Sequence, residues 1–247
     1  MDMKDDILAQ EIAAQNAASE SYETIRYQKD YSLIYQNSWF REMVSFISQD
    51  GSVLDNGCGV GHLAEFLPTD NKVGFDISSE MLIKAGERLP HVVRGNSQHL
   101  PFGSETFDII FCRALLHHLQ DPQAGIDEMS RVLKKGGEII IAEPIKSVLS
   151  TLPRKLVKGK SQFSDLHKDF ERNQLIEIVR RKFSIEEIRH FGYIAYPVLG
   201  FPDVVDPFKY VPFKKSTASF LISLDKFMSR VPILSRQSWG IIIKAVK

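Results

Sequence analysis

Val53-Leu54-Asp55-Asn56-Gly57-Cys58-Gly59-Val60-Gly61 joins a short apolar run to three glycines at alternate positions, and a helical pattern follows at His62–Leu67. Glycine reaches backbone angles closed to other residues and lets a ligand approach the main chain. The start of the following helix adds N–H groups with no partner inside the helix. A strand, a glycine loop and a helix in this order make a nucleotide-type cradle, and dinucleotide enzymes share the design.

Two details separate the alternatives. The dinucleotide fingerprint is G-x-G-x-x-G. Here the place of its third glycine is taken by His62, and the pattern is G-x-G-x-G. Asp55 also ends the strand just before the loop. A carboxylate there repels a pyrophosphate and suits an ammonium group. S-adenosylmethionine (SAM) carries an ammonium and a sulfonium but no phosphate, so it fits this charge better than NAD does. Downstream, Gly74-Phe75-Asp76-Ile77-Ser78 places Asp76 at the end of a second strand. An acid there accepts hydrogen bonds from vicinal ribose hydroxyls. An N-cap for the next helix is the other reading of Asp76.

Outward from this centre, strand and helix signals alternate. Strands are predicted at Ser52–Asp55, Lys72–Asp76, His91–Arg94, Phe107–Cys112 and Glu138–Ala142. Helices are predicted at Ser79–Arg88, with Ser78 or Ser79 as N-cap, and at Pro122–Leu133, stopped by Gly136-Gly137. Such alternation implies a mainly parallel sheet with helices on both faces. Before it, residues 5–19 and 37–49 read as amphipathic helices. After it come a helix at Leu175–Lys182, Ser184–His190 leading to a sixth strand at Tyr193–Tyr196, a helix at about 217–230, and a final apolar strand at Ser238–Val246. The expected organisation is one α/β domain: 1–50 as N-terminal helices and lid, 51–145 as the cofactor core, 146–236 as a variable region, and 237–247 as the last strand.

The motif V-L-D-x-G-C-G-x-G followed by G-x-D-x-S resembles the class I SAM-dependent methyltransferases of the small-molecule type, the methyltransferase-11-like group. The likeness continues through Gly95-Asn96-Ser97-Gln98-His99-Leu100-Pro101-Phe102, Phe107-Asp108, His117-His118-Leu119, Asp121-Pro122, Glu128, Arg131-Val132-Leu133 and Lys135-Gly136-Gly137. It covers about 20–145 well and the final strand loosely. The resemblance implies a Rossmann-like seven-stranded sheet with the last strand antiparallel, and a methyl transfer that leaves S-adenosylhomocysteine. It also implies roles. Asp55 would bind the amino acid end of SAM, directly or through water, with Gly57 and Gly59 against the methionine moiety. Asp76 would hold the ribose hydroxyls, Ile77 and Met81 would pack on the adenine, and Asn96 and Ser97 would meet its edge. Cys112 would lie near the methionine part, with Arg113 beside it. Asn96 stands where the family usually has Asp; an amide can still accept and donate at an adenine edge. Tyr22, in a small-residue run like the family's, reads either as a lid over SAM or as an ordinary packing tyrosine.

Methyl transfer to oxygen or nitrogen aligns nucleophile, methyl and sulfur, and can call for a base. His117 and His118 follow the fourth strand, and adjacent residues point different ways. His117 is the first candidate for a base or substrate contact; both histidines lining the wall is the other reading. Glu143, at the end of strand five, either touches substrate or caps a turn, and His167 is a weaker candidate. Residues 144–170 and 197–236 lie outside the common core. In the second, Phe201, Phe208, Tyr210 and Phe213 alternate with prolines. Phe220, Leu221, Leu224, Phe227, Met228 and Val231 then form an apolar stripe flanked by Lys214, Lys215, Lys226 and Arg230. That segment reads as a cap over the acceptor site or as a membrane-facing surface; either suggests a large or partly apolar acceptor, and the expected acceptor is a small molecule, sugar- or lipid-linked.

Composition bounds the remaining classes. The 247 residues are 43% hydrophobic, enough for one substantial core. Lys and Arg equal Asp and Glu at 31 each, which argues against a nucleic-acid partner. Cys58 and Cys112 form no disulfide framework, and no spaced Cys or His cluster suggests a metal. The acidic, polar start lacks a signal-peptide pattern, so a cytoplasmic protein is expected, in contact with a membrane if the stripe faces one. A non-catalytic SAM-binding subunit is the main alternative to an enzyme, and an NAD-dependent oxidoreductase the lesser one. Intact Asp55, glycine loop and Asp76 disfavour the first, and the missing third glycine disfavours the second.

Overall fold

The computed structural model describes residues 3–147, 170–200, 202, 206–235 and 237–247. Its centre is a seven-stranded sheet. The strands are β1 (Val53–Asn56), β2 (Lys72–Asp76), β3 (His91–Arg94), β4 (Phe107–Arg113), β5 (Leu133–Pro144), β6 (Ser184–Phe191) and β7 (Gly240–Val246). Their order across the sheet is β3-β2-β1-β4-β5-β7-β6. β1 pairs parallel with β2 (Val53↔Lys72) and with β4 (Val53↔Ile109), and β7 runs antiparallel to both β5 (Ile141↔Ile243) and β6 (Ile188↔Ile243). This is the Rossmann-like sheet with an antiparallel last strand that the motifs imply.

Alternation along β4 and β5 builds two core layers. Ile110, Cys112, Ile139 and Ile141 pack with Ile126 and Met129 of α4 (Pro122–Val132) and with Leu175 and Val179 of α5 (Arg172–Arg180). Ile109, Phe111, Ile140 and Ala142 face the other way, onto Phe40 and Met43 of α2 (Asp30–Val44). Strand order turns back between β1 and β4, and ligands bind outside the carboxyl ends of strands at such a point. Asn56, Asp76 and Arg113 end β1, β2 and β4 there.

Several boundaries differ from the sequence expectation, each for a tertiary reason. α2 starts at Asp30 and ends at Val44, not at 37–49. Tyr31 and Tyr35 extend it backwards because they bury against Leu199, Phe208 and Ile222. It stops early because the Ser48 N–H is taken by the Glu138 carboxylate at 3.0 Å. Gly136-Gly137 does not stop α4; the helix ends at Val132 and the glycines lie inside β5. Gly136 adopts φ +73° and the pair exchanges backbone bonds with Lys247, so it is a bulge where β5 meets the end of β7. The sixth strand is Ser184–Phe191, not Tyr193–Tyr196. The N–H groups of Tyr193, Ile194 and Ala195 all donate to the buried Asp225 carboxylate, which turns that stretch into the start of α6 (Ala195–Leu199).

Two helices frame the rest. α1 (Met3–Ser21) runs into a π-helical turn at Tyr22–Tyr27, and α3 (Ser79–Ala85) follows β2 with Ser78 as N-cap to Met81 N at 3.1 Å. α1 is tied to α3 by Ser78 Oγ donating to Asn16 Oδ1 at 2.6 Å, and the Lys84–Glu20 pair lies nearby at 2.8 Å. α7 (Lys214–Ser229) and the short α8 (Pro232–Ser235) complete the chain before β7. Among the described residues no helix is long and apolar enough to cross a membrane.

Candidate active site

At the carboxyl edge of β1 the loop glycines take positive φ: Gly57 +80°, Gly59 +54° and Gly61 +81°. These angles are strained for any side chain with a Cβ. A Cβ at Gly59 would meet nothing within 4 Å, so that position opens onto free space. Asp76 organises the loop. Its Oδ2 accepts from Gly59 N at 2.9 Å and its Oδ1 from Ser78 N at 2.9 Å. Burial pushes the Asp76 carboxyl above its ordinary pKa, against the pull of those backbone donors.

The loop forms the floor of a cleft of roughly 1030 Å³ including its mouth. Eight of the residues singled out from the sequence meet there: Gly57 and Gly59, Asp76, Ile77 and Met81, Asn96 and Ser97, and Tyr22. Asn96 Oδ1 accepts from Gln98 N at 2.9 Å, and Ser97 Oγ donates to Asn56 Oδ1 at 2.7 Å, so both are held in place.

Three candidates lie elsewhere. Asp55 is buried beneath the loop and does not line the cleft. Its Oδ2 has no hydrogen-bond partner, and burial raises its pKa to about 7 despite the nearby Arg113. Cys112 is wholly buried in the layer under α4, where burial pushes its thiol pKa up, and both cysteines are free. The next residue, Arg113, reaches the cleft instead, as alternation along a strand requires. His117 is also buried away from the cleft. Its Nδ1 lies 2.6 Å from Glu143 Oε2, and Glu143 Oε1 accepts from the N–H groups of Leu115 and Leu116. Glu143 therefore holds the turn after β4 and does not face the cleft.

The histidine in the cleft is His118, whose Nδ1 lies 3.0 Å from Glu11 Oε1 on α1. Glu11 lines the same space beside Ile7, Leu8 and Gln15. Arg26, from the π-helical turn, lies 3.9 Å over the Tyr22 ring, and Arg113 donates to Tyr27 Oη at 3.2 Å. Sequence reasoning missed Glu11 and Arg26 altogether. Glu11 looked like a solvated residue on an amphipathic helix, and the π-helical turn that aims Arg26 inward has no periodicity signal. No described residue of 197–236 lines the cleft. That side of the cleft is lined by α1, while Ala195, Leu199, Phe208, Ala218 and Ile222 pack with Tyr31 and Tyr35 of α2. His167 and Phe201 lie outside the described residues.

The methyltransferase domain family matches residues 54–141, the segment from the glycine loop to β5. Residues of this chain are 33% identical over 143 positions to an uncharacterised protein of Methanocaldococcus jannaschii, covering 58% of this chain and 64% of the relative. A ubiquinone biosynthesis O-methyltransferase of Aliivibrio fischeri is 31% identical over 109 residues, 40% of this chain and 47% of that protein. Both matches thus span less than two thirds of the relative. The crystal structure of a SAM-dependent methyltransferase from Thermotoga maritima superposes with a TM-score of 0.63 at 20% identity, over 96% of this chain and 99% of the other. Residues 54–141 thus match the methyltransferase domain family, and the surrounding sheet has the fold of the Thermotoga maritima protein.

Proposed function

We propose that the protein transfers the methyl group of SAM to an oxygen or nitrogen nucleophile of a small, partly apolar or lipid-linked acceptor. The observation that carries this reading is one cleft holding the glycine loop and Asp76 together with the Glu11–His118 pair. SAM, when bound, supplies an electrophilic methyl on a cationic sulfur. The residues fit such a group: open space above Gly59, an unpartnered Asp55 oxygen beneath the loop, and the Arg113 guanidinium in the wall. Asp76 would take the ribose hydroxyls, Ile77 and Met81 the adenine faces, and Asn96 and Ser97 its edge. Arg26 and Arg113 would meet the methionine carboxylate, and Asp55, beneath the loop, would act on the ammonium through its charge or a bridging water. His118 Nε2 would receive the acceptor's proton while Glu11, at Nδ1, stabilises the resulting imidazolium. An oxygen acceptor accords with the activity named for the Aliivibrio fischeri relative. The apolar Ile7, Leu8 and Leu119 at the cleft suit a partly apolar one.

Titration calorimetry with S-adenosylhomocysteine tests the cofactor half of the proposal; no binding at millimolar ligand would end it. Asp76→Ala is expected to weaken that binding about 10- to 150-fold, because a charged acceptor contributes about 1.5–3 kcal/mol. Asn96→Ala, losing neutral bonds worth about 1 kcal/mol, is expected to cost only about fivefold. Equal losses would contradict the assigned roles. The transfer half is tested by incubating labelled SAM with a metabolite extract and identifying the methylated product; a C-methylated product would refute the O or N assignment.

A pH dependence follows from Asp55. Its folded pKa of about 7 lies above the ordinary 3.8, so the empty folded state holds this proton more tightly than the unfolded chain does. Stability from this group is therefore lost as pH rises from about 4 through 7. A ligand ammonium beside Asp55 favours the ionised form, so S-adenosylhomocysteine should bind more tightly at pH 8 than at pH 6. Asp55→Asn should remove that difference; a slope that persists in the variant would place its origin elsewhere.

A further inference from the structure

α7 carries an aromatic stripe that the fold does not use. Phe220 and Phe227 are seven residues apart on α7, which brings them to within about 20° of one line along the helix, and Phe213 stands just before its first turn. Phe213, Phe220 and Phe227 are 85%, 65% and 64% exposed, and Tyr210 (85%) and Ile233 (80%) are exposed on either side of them in the sequence. Of the eight large hydrophobic side chains exposed among the described residues, five fall in this one stretch. The helix does not need them for packing. Its opposite face already buries Ala218 and Ile222 against α2, and Asp225 against the start of α6. Phe213 also holds φ +50°, a region bulky residues avoid, with its ring turned outward.

Within this segment the exposed charges have one sign. Between Pro207 and Ser235 stand Lys209, Lys214, Lys215, Lys226 and Arg230, in a chain that is neutral overall. The sole acid there is Asp225, buried and occupied with three backbone N–H groups. Lys215 pairs with Asp30 at 2.9 Å, but both side chains are more than 60% exposed, so the pair exchanges readily with an outside anion.

We propose that this face docks the protein on an anionic lipid bilayer, with the phenylalanines entering the headgroup boundary and the cations meeting lipid phosphates. Exposed aromatics beside a lysine-rich flank are the pattern of interfacial helices. A protein partner fits less well, because four of the five cations are lysines, which protein interfaces deplete. The inference stands on this surface alone and does not rest on the proposed methyl transfer.

Flotation of the full chain with phosphatidylglycerol–phosphatidylcholine vesicles tests it, with phosphatidylcholine vesicles as the comparison. Binding is expected with the anionic vesicles only and should fall with added salt. The F220S/F227S variant is expected to lose at least about tenfold in bound fraction while its Tm and S-adenosylhomocysteine affinity stay at wild-type values. K226E/R230E should lose binding as well, and it carries the test should the first variant melt early. The proposal is overturned if wild type ignores anionic vesicles, or if both variants bind them as wild type does. Sedimentation equilibrium showing a wild-type dimer that F220S/F227S dissociates, without vesicle binding, would instead assign the stripe to a second copy of the chain.

Discussion

Replacing His118 with asparagine is expected to lower kcat by about 10²- to 10⁴-fold, the range of a lost general base, and to change S-adenosylhomocysteine affinity by no more than a few-fold. His118 lines the cleft, and Glu11 Oε1 lies 3.0 Å from its Nδ1. Asparagine keeps a polar side chain of similar reach but cannot take a proton at neutral pH. Glu11→Gln should produce a smaller loss, because it removes only the charge that stabilises the imidazolium. His117→Asn is the matched control. His117 is buried on Glu143, so its variant should keep kcat within a few-fold while lowering Tm. Turnover measured as S-adenosylhomocysteine release in the presence of the acceptor, with parallel melts, separates the two. Full activity in His118→Asn would remove the base from the mechanism.

Glu143→Ala should be the most damaging of these substitutions for stability. Glu143 is wholly buried, and it satisfies Leu115 N at 2.8 Å, Leu116 N at 2.7 Å and the His117 ring at 2.6 Å. Alanine leaves two backbone donors and an imidazole without their acceptor, at about 1–3 kcal/mol each. A net loss of about 3–5 kcal/mol is the usual result of removing one partner from a buried pair. At about 2–4 °C per kcal/mol for a chain of this size, Tm should fall by about 6–20 °C. Glu143→Gln keeps one acceptor oxygen and should lose less.

The same residue has a pH signature. Burial raises the Glu143 pKa to about 7 from 4.5, overriding three hydrogen bonds that favour the anion. The folded state thus holds its proton more strongly than the unfolded chain, and wild-type stability from this group declines as pH rises from about 4.5 through 7. The decline should be shallower in Glu143→Gln, as read by melts at pH 5 and pH 7.5. A larger drop in Tm for His118→Asn than for Glu143→Ala would invert the assignment of which histidine belongs to the core.

Local chemistry made the centre of the molecule readable. β2 and β3 have the bounds their apolar runs predict, and Ser78 caps α3 as its hydroxyl and position suggest. The three loop glycines take the positive φ that motivates placing glycine there, and Asp76 lies between the loop and α3. These features depend on backbone angles, side-chain alternation and capping, which a few neighbouring residues settle among themselves. Asp76 reaches the cleft and accepts from Ser78 N, but the N-cap of α3 is Ser78 and not Asp76.

What the tertiary structure decided is which way side chains face and what they meet. His117 and His118 are indistinguishable in a sequence; Glu143, 26 positions beyond His117, draws one inward, and Glu11 on α1 meets the other. Asp225 converts an expected strand into the start of α6 from 30 residues away. Leu199, Phe208, Ala218 and Ile222, of the segment expected to cap the acceptor, are held on α2 by Tyr31 and Tyr35, and α1 lines the cleft. An apolar helical stripe looks the same in a sequence whether it packs inward or outward. Only the burial of Ala218 and Ile222 on the far side of α7 leaves Phe220 and Phe227 in solvent, because a helix with one face anchored has no choice about where the other points.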